Sequence, residues 1–243
     1  LGAAPALIAL CAACGDAPDA PPDAGEAVDG PTDAGWPSGA DAGAADVRAE
    51  DAGESRLPYA EHLVRFSPGE NAGFGQEELP SVVLGPPAGR EAGGSLDVLS
   101  LGVGGEIVLD FGEGRRLVDG PGPDLVVFEN PFYISGDPTR PFAELGEVAV
   151  SADGVTWSTF DCDPSGMGRG RYPGCAGWTP TRRFDPRLPL DPTESGGDVF
   201  DLDDLGVTEA RYVRIRDLAD EGAPPSAGFD LDAIGAVHLA DAP

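Results

Sequence analysis

The sequence predicts an all-β domain of the sandwich or barrel class over residues 57–243. After Arg56 the chain contains no long stretch with the 3.6-residue periodicity of an amphipathic helix. Short apolar or alternating segments appear instead, and Gly, Pro and Asp separate them. Many short strands with frequent turn residues are typical of a β-sandwich or a barrel.

Four candidate strands lie in the first half of this domain. Residues 82–84 end at a Gly-Pro-Pro turn, and residues 95–101 follow two glycines. Residues 106–111 alternate apolar with other side chains, which predicts one buried face. Residues 125–128 form a continuous apolar run, and we expect a central strand that is covered on both faces.

The second half contains the clearest hairpin pattern. Residues 147–151 and 155–160 flank Asp153-Gly154, a dipeptide that readily supplies the positive φ angles of a tight turn. The valines of the first segment can share one face. We expect Val155 and Trp157 to lie on the strand that pairs with it.

Two further strands and one helical turn complete the predicted domain. Tyr212–Asp217 alternates apolar and Arg side chains, and residues 229–239 form a last strand. The two leucines of residues 202–205 are three apart, which indicates a single helical turn. Asp201 is placed to cap its N-terminus and Gly206 to end it.

The chain is strongly acidic. Its 243 residues include 43 Asp and Glu against 15 basic residues, all of them Arg, for a net charge of −28. This balance argues against nucleic acid as a partner, because phosphates require Lys and Arg, and against docking on anionic lipid. Two explanations stay open: solubility through self-repulsion, or binding of a hard divalent cation such as Ca²⁺.

Residues 1–14 have the composition of an export signal. An apolar run, too short to span a bilayer, ends in small residues before Cys14. This ending resembles a bacterial lipobox, with Cys14 as the lipidated residue; cleavage without lipid is the alternative. We expect an exported lipoprotein, at the cell surface or in the outer membrane, that meets the membrane only through its anchor. The initiator Met and a basic segment do not precede the run, so we expect a truncated start.

Residues 15–56 form a low-complexity segment of Asp, Ala, Gly and Pro. They contain eleven acidic and two Arg side chains, a net charge of −9, and Asp-Ala-Gly recurs four times. Few of these residues could bury apolar surface, so we expect a disordered tether. Mutual repulsion and proline favour an extended chain.

Cys162 and Cys175 are separated by 12 residues inside the predicted domain. In an exported protein two such cysteines form a disulfide. Closing a loop of this length stabilises the fold by about 3 kcal/mol in the chain-entropy model. A zinc site would need further Cys or His ligands nearby, and the surrounding sequence supplies none.

Two segments resemble discoidin-like, galactose-binding-like jelly rolls. Residues 148–157 follow the pattern V-x-V-S-x-D-G-x-x-W, and residues 210–216 read A-R-Y-V-R-I-R. Residues 94–105, 119–132 and 228–234 are similar to a group of bacterial cell surface proteins of the same architecture. Together the matches span roughly residues 63–239. The resemblance implies a jelly-roll β-sandwich displayed at the cell surface, and it specifies no ligand.

Carboxylate and amide side chains at strand ends predict a cation site. Asp230 and Asp232 are two apart in a strand, so both would leave the same face. In many galactose-binding-like modules a structural Ca²⁺ lies against such a last-strand acid. The candidate ligands for one structural Ca²⁺ are Asp97, Glu129, Asn130, Asp198, Asp230 and Asp232.

Simpler roles remain for several of these acids. Asp230 and Asp232 could instead form a solvated face that pairs with Arg214 or Arg216. Asp124 follows Pro-Gly-Pro and is expected to be a turn residue.

Catalytic motifs are missing from the sequence. The chain has two His residues and contains no nucleophile elbow, no HExxH zinc motif and no phosphate-binding loop. We therefore interpret the protein as a non-catalytic binding or adhesion module, with a glycan or another envelope component as its partner. A structural envelope lipoprotein without a small ligand and a carboxylate-dependent glycan hydrolase are the alternatives.

Overall fold

The computed structural model describes residues 56–89, 95–137, 140–166 and 171–241. The chain divides into two units, Leu1–Asp51 and Ala52–Pro243, and all described residues belong to the second. Cys14 and most of the predicted tether lie outside the described residues.

The described residues form an all-β domain with antiparallel sheets and very little helix. The only α-helix in these ranges is α1, Pro192–Ser195. Single turns of 3₁₀ helix occur at Gln76–Glu78, Ser81–Val83, Ile134–Gly136 and Leu202–Leu205. The strands are β1 His62–Ser67, β2 Leu99–Ser100, β3 Glu106–Asp110, β4 Arg115–Val118, β5 Leu125–Glu129, β6 Gly146–Ser151, β7 Ser158–Thr159, β8 Cys175–Ala176, β9 Asp198–Phe200, β10 Glu209–Ala210, β11 Tyr212–Asp217, β12 Asp230–Ala236 and β13 Leu239–Asp241.

Two sheets carry most of the structure. The larger has the order β1-β3-β11-β6-β7, with β8 also paired to β6. Its register places Ile215 of β11 opposite Ile107 of β3 and Val148 of β6. The second sheet has the order β2-β12-β5-β9, and a small third sheet pairs β10, β4 and β13.

The main core contains alternate side chains of both larger sheets. Ile107, Val148 and Ile215 from the first sheet and Leu125 and Leu231 from the second are at most 1% exposed and belong to one cluster. Burying each such side chain contributes about 1.5–3 kcal/mol. The even-numbered residues of β5 join a second, smaller cluster. The prediction that this apolar run is covered on both faces is confirmed.

Several local predictions are confirmed. β3 and β11 lie where alternation placed them, and the valine and isoleucine of β11 are buried. The turn at Leu202–Leu205 begins at Asp201, whose carboxylate accepts the N–H of Asp203 at 3.0 Å. It ends at Gly206 with φ of 63°, a left-handed conformation that glycine adopts without steric cost.

The predicted tight hairpin is wrong in its second strand. β7 begins at Ser158, because the Asp153 carboxylate accepts the N–H groups of Val155 and Thr156 at 2.8 and 2.7 Å. These bonds extend the turn and keep the following residues out of the strand ladder. Val155 is therefore 81% exposed. The Trp157 ring lies 4.7 Å below the guanidinium carbon of Arg214.

Three predicted strands differ in extent. Residues 82–84 lie at a 3₁₀ turn, Ser81–Val83, and residues 95–101 contribute only the two residues of β2. Residues 229–239 divide into β12 and the start of β13, which belong to different sheets. Apolar pattern identified buried positions here, but it did not distinguish a short turn from a strand.

The predicted disulfide between Cys162 and Cys175 is confirmed. It ties the segment before β8 to the start of that strand. Disulfides persist in oxidising compartments, so this bond indicates an extracytoplasmic environment. Across the described ranges, no helix has the length and apolar character needed to cross a membrane.

Candidate functional site

Acidic residues distant in the chain meet at one end of the four-stranded sheet. Glu129 is the last residue of β5, while Asp198 and Asp230 are the first residues of β9 and β12. Both strands run antiparallel to β5, so Asp230 begins next to the partner of Glu129, and Asp198 is opposite Val127, two residues before the end of β5. Leu231 is opposite Glu129 in the register. Glu144, which precedes β6, completes what we call the carboxylate cluster.

Glu129 is the least compensated member of this cluster. It is 2% exposed, and its Oε2 atom has no hydrogen-bond partner. Burial raises the pKa of Glu129 well above its usual value, and the charges of Asp230, Glu144 and Asp198 raise it further. No arginine of the described residues forms an ion pair with these four carboxylates.

Glu144 and Asp230 are perturbed in the same direction. Burial, followed by the charges of Asp230 and Asp217, raises the pKa of Glu144 to about 8. Burial raises the pKa of Asp230 to about 6, although hydrogen bonds from the Ser100 hydroxyl and the Asn130 amide oppose the shift. The structure thus brings Asn130 against the carboxylate cluster.

Asp198 connects the cluster to a neighbouring loop. Its Oδ2 accepts the N–H groups of Gly177 and Trp178 at 2.7 and 3.0 Å, and its buried Oδ1 has no hydrogen-bond partner. Burial raises its pKa to about 6 against the effect of these hydrogen bonds. A cation at the free oxygen would therefore be linked directly to the position of this loop.

The predicted ligand set divides into two groups. Glu129, Asn130, Asp198 and Asp230 lie near one another, but no three carboxylates of the cluster bring oxygens within 4.8 Å of one another. Asp97 and Asp232 lie elsewhere. Asp232 accepts the N–H groups of Ala88 and Gly89 at 2.9 and 2.7 Å and so fixes that loop. Burial raises its pKa to about 6, and the charge of exposed Asp97 adds to the shift.

The alternative role of the last-strand acids is wrong. The ladder between β12 and β5 shifts register between Leu231 and Ala233, in the segment that contains Asp232. Neither aspartate lies on a solvated face, and both are at most 8% exposed. Arg214 pairs with Glu106 at 3.8 Å and Arg216 with Glu147 at 3.1 Å.

A second acidic group was not recognised from the sequence. Carboxylate oxygens of Asp119, Asp124 and Asp201 lie within 4.8 Å of one another and could hold a metal ion. Asp124 closes the predicted turn by accepting the N–H of Gly120, and it is also fully buried. It accepts hydrogen bonds from Gly120 N, Leu202 N and His238 Nδ1 at 2.7–2.8 Å. These bonds explain Asp124 without a metal.

A surface pocket of about 380 Å³ lies beside the disulfide, and we call it the aromatic pocket. Tyr172 and Trp178 line it with ring centroids 6.4 Å apart in an edge-to-face arrangement. Asp198, Thr193 and the partly exposed Val199 complete the wall. A mainly apolar pocket with a few polar groups is the usual form of a small-ligand site.

In comparisons with known proteins, no protein-family model and no curated protein matches the chain. One solved structure, named "Glycoside hydrolase", is similar over 58% of this chain at 16% identity with a TM-score of 0.29. The chain spans 22% of that protein's length.

Proposed function

We propose that this chain is an exported, surface-anchored, non-catalytic binding module in which Ca²⁺ at the carboxylate cluster stabilises a glycan-binding loop. The observation that carries the proposal is the buried Glu129 carboxylate, whose Oε2 has no hydrogen-bond partner and whose pKa the charges of three further acids raise. The jelly-roll topology and the lipid on Cys14 are part of the same proposal and rest on sequence resemblance.

A buried carboxylate requires compensation, because an isolated charge in a protein interior is strongly unfavourable. A proton, an arginine or a metal ion can supply it. Arginine is absent from this cluster among the described residues. Protonation satisfies one group at a time, whereas one divalent cation compensates several carboxylates together.

The chemistry of the ligands favours Ca²⁺ over a transition metal. Glu129, Glu144, Asp198 and Asp230 offer only carboxylate oxygens, and the Asn130 amide N–H donates to Asp230 and to the Ser95 carbonyl. Hard cations prefer such oxygen sets, while zinc prefers nitrogen and sulfur. Ca²⁺ also tolerates irregular geometry and six to eight ligands, which suits a site assembled from strand ends.

The aromatic pocket supports glycan binding. The rings of Tyr172 and Trp178 can pack against the apolar faces of sugar rings, and the Tyr172 hydroxyl can bond to sugar hydroxyls. The Trp178 Nε1–H already donates to the Cys175 carbonyl at 3.2 Å, which fixes the orientation of the ring. Asp198 belongs to both the pocket and the carboxylate cluster. A cation held by Asp198 would therefore stabilise the loop that carries Trp178.

The Ca²⁺ proposal is tested by thermal melting of the purified chain in Ca²⁺, Mg²⁺ and EDTA. A ligand that binds only the native state must raise stability, by about 2.7 kcal/mol at 100 times its dissociation constant. We expect Ca²⁺ to raise the melting temperature of the wild type and not of Glu129→Gln. Glu221→Gln, an exposed substitution of the same kind, should respond like the wild type. Equal melting in Ca²⁺ and EDTA would remove the proposal.

Glycan binding is tested separately on a glycan array in Ca²⁺. We expect binding by the wild type and its loss in Trp178→Ala, with the melting response to Ca²⁺ retained. An array without any bound glycan would contradict this part of the proposal and favour the structural envelope lipoprotein.

One observation favours a second function, carboxylate-dependent glycan hydrolysis. A carboxyl with a pKa of about 8, as in Glu144, is protonated at neutral pH and could act as a general acid beside the Asp230 carboxylate. Release of reducing sugar from an array ligand by the wild type, abolished in Glu144→Gln, would establish this alternative and refute the non-catalytic assignment.

A further inference from the structure

A second pocket, which we call the arginine pocket, lies next to the aromatic pocket. It has a volume of about 460 Å³, and its walls include Arg182, Arg183, Phe184 and Arg187. Arg182 Nη1 donates to the carbonyl of Thr193 at 3.0 Å, and Thr193 lines the aromatic pocket. This hydrogen bond makes the two pockets neighbours.

Positive charge is concentrated at the arginine pocket. Residues 182–187 contain three arginines and one acid in a chain whose net charge is −28. Asp185 holds Arg187 in a two-point pair, with Nε and Nη2 at 2.9 and 2.8 Å from its carboxylate oxygens. Arg183 is exposed and has no ion pair or hydrogen bond with its side chain in the described part of the chain. The Arg183 guanidinium therefore has no acidic partner among the described residues.

We propose that the arginine pocket binds the carboxylate of an acidic sugar, so that the glycan taken by this module carries uronic-acid residues. The inference rests on the proposed glycan-binding function and names its ligand class. The planar guanidinium of Arg183 can donate two parallel N–H bonds to one carboxylate. A neutral glycan would leave this group without a counterpart.

The other walls of the pocket fit a sugar ring. Phe184 and Pro186 supply apolar surface, and the Asp185 carboxylate offers acceptor lone pairs to ring hydroxyls. The long-range field limits the charge of the ligand, because a chain of net charge −28 repels a polyanion. A glycan with isolated carboxylates satisfies both the local attraction and this repulsion.

The test is isothermal titration calorimetry of the full chain in Ca²⁺ with glucuronic acid, glucose and acetate at equal ionic strength. We expect glucuronic acid to bind more tightly than either of the others. Arg183→Ala should weaken its binding tenfold or more, because a charge-assisted pair is lost. Arg140→Ala removes the same charge from an exposed site outside the pocket and should leave the affinity unchanged.

Three results would overturn the inference. They are the absence of binding by glucuronic acid, equal affinity for glucose or acetate, and equal weakening in Arg183→Ala and Arg140→Ala. If one of these results is obtained and neutral glycans still bind on the array in a Trp178-dependent manner, the inference fails and the proposed function stands. If no glycan of any charge binds, the proposed function fails with it.

Discussion

Replacing Asp230 with Asn should stabilise the protein in EDTA and make it insensitive to Ca²⁺. Asp230 is 8% exposed, and burial raises its pKa from 3.8 to about 6. Asn retains an acceptor for the Ser100 hydroxyl, so the hydrogen bond at this site can persist. The substitution therefore removes the charge and little else.

The magnitude follows from the difference in pKa between the folded and unfolded states. A rise from 3.8 to about 6 corresponds to about 3 kcal/mol. The folded state binds the proton of Asp230 more tightly than the unfolded state does. The stabilisation that this proton gives the folded state is complete below pH 4, is lost as the pH rises toward 6 and stays lost above pH 6. In EDTA, the free energy of unfolding of Asp230→Asn should equal that of the wild type near pH 4 and exceed it by about 3 kcal/mol at pH 8.

Urea denaturation at pH 4 and pH 8, with EDTA or with Ca²⁺, measures both effects. Asp220→Asn is the matched control, because Asp220 is exposed. It should change neither the pH dependence nor the response to Ca²⁺. Equal destabilisation of Asp230→Asn at both pH values would refute the reasoning, because it would show that the hydrogen bonds of Asp230 outweigh its ionisation. A full Ca²⁺ response in this variant would exclude Asp230 as a ligand.

Two further substitutions test the structural framework. The double substitution of Cys162 and Cys175 by Ser should lower the free energy of unfolding by about 3 kcal/mol in urea; a midpoint equal to that of the wild type would contradict the role of the bond. Asp124→Ala leaves the N–H groups of Gly120 and Leu202 without their acceptor. Each lost hydrogen bond should lower the free energy of unfolding by about 1–3 kcal/mol. An unchanged urea midpoint would show that water replaces the lost carboxylate.

The fold was predictable from sequence where the pattern is local. The sequence predicts β3, β5 and β11 through alternation or a continuous apolar run, because burial of one or both faces determines which residue types these strands contain. Strand pairing across the chain was not predictable in this way. The sheet order β2-β12-β5-β9 depends on contacts among residues more than 70 positions apart.

The candidate site was only partly predictable. The sequence predicts Glu129, Asp198 and Asp230 as cation ligands because each of these acids adjoins a buried strand or a tight glycine turn. Glu144 carries no such signal, since it lies between strands and reaches the cluster only through the tertiary fold. Asp124 was predicted only in part. Its Pro-Gly-Pro context indicated a turn, and its carboxylate accepts the N–H of Gly120 there, but contacts with residues far along the chain also bury it completely.

The same fold shows how it compensates a buried carboxylate when structure is the only requirement. Asp217 is 3% exposed, and its oxygens accept the N–H groups of Gly104, Ala219 and Phe229 at 2.7–3.0 Å. Three loops thereby converge on one side chain, and neither oxygen is left without a donor. Glu129 is buried as deeply, yet its Oε2 receives no donor, and the charges of three other acids raise its pKa. Hydrogen-bond donors alone would not cancel that combined charge, whereas a divalent cation would, and this difference is the physical reason to seek the ion at Glu129.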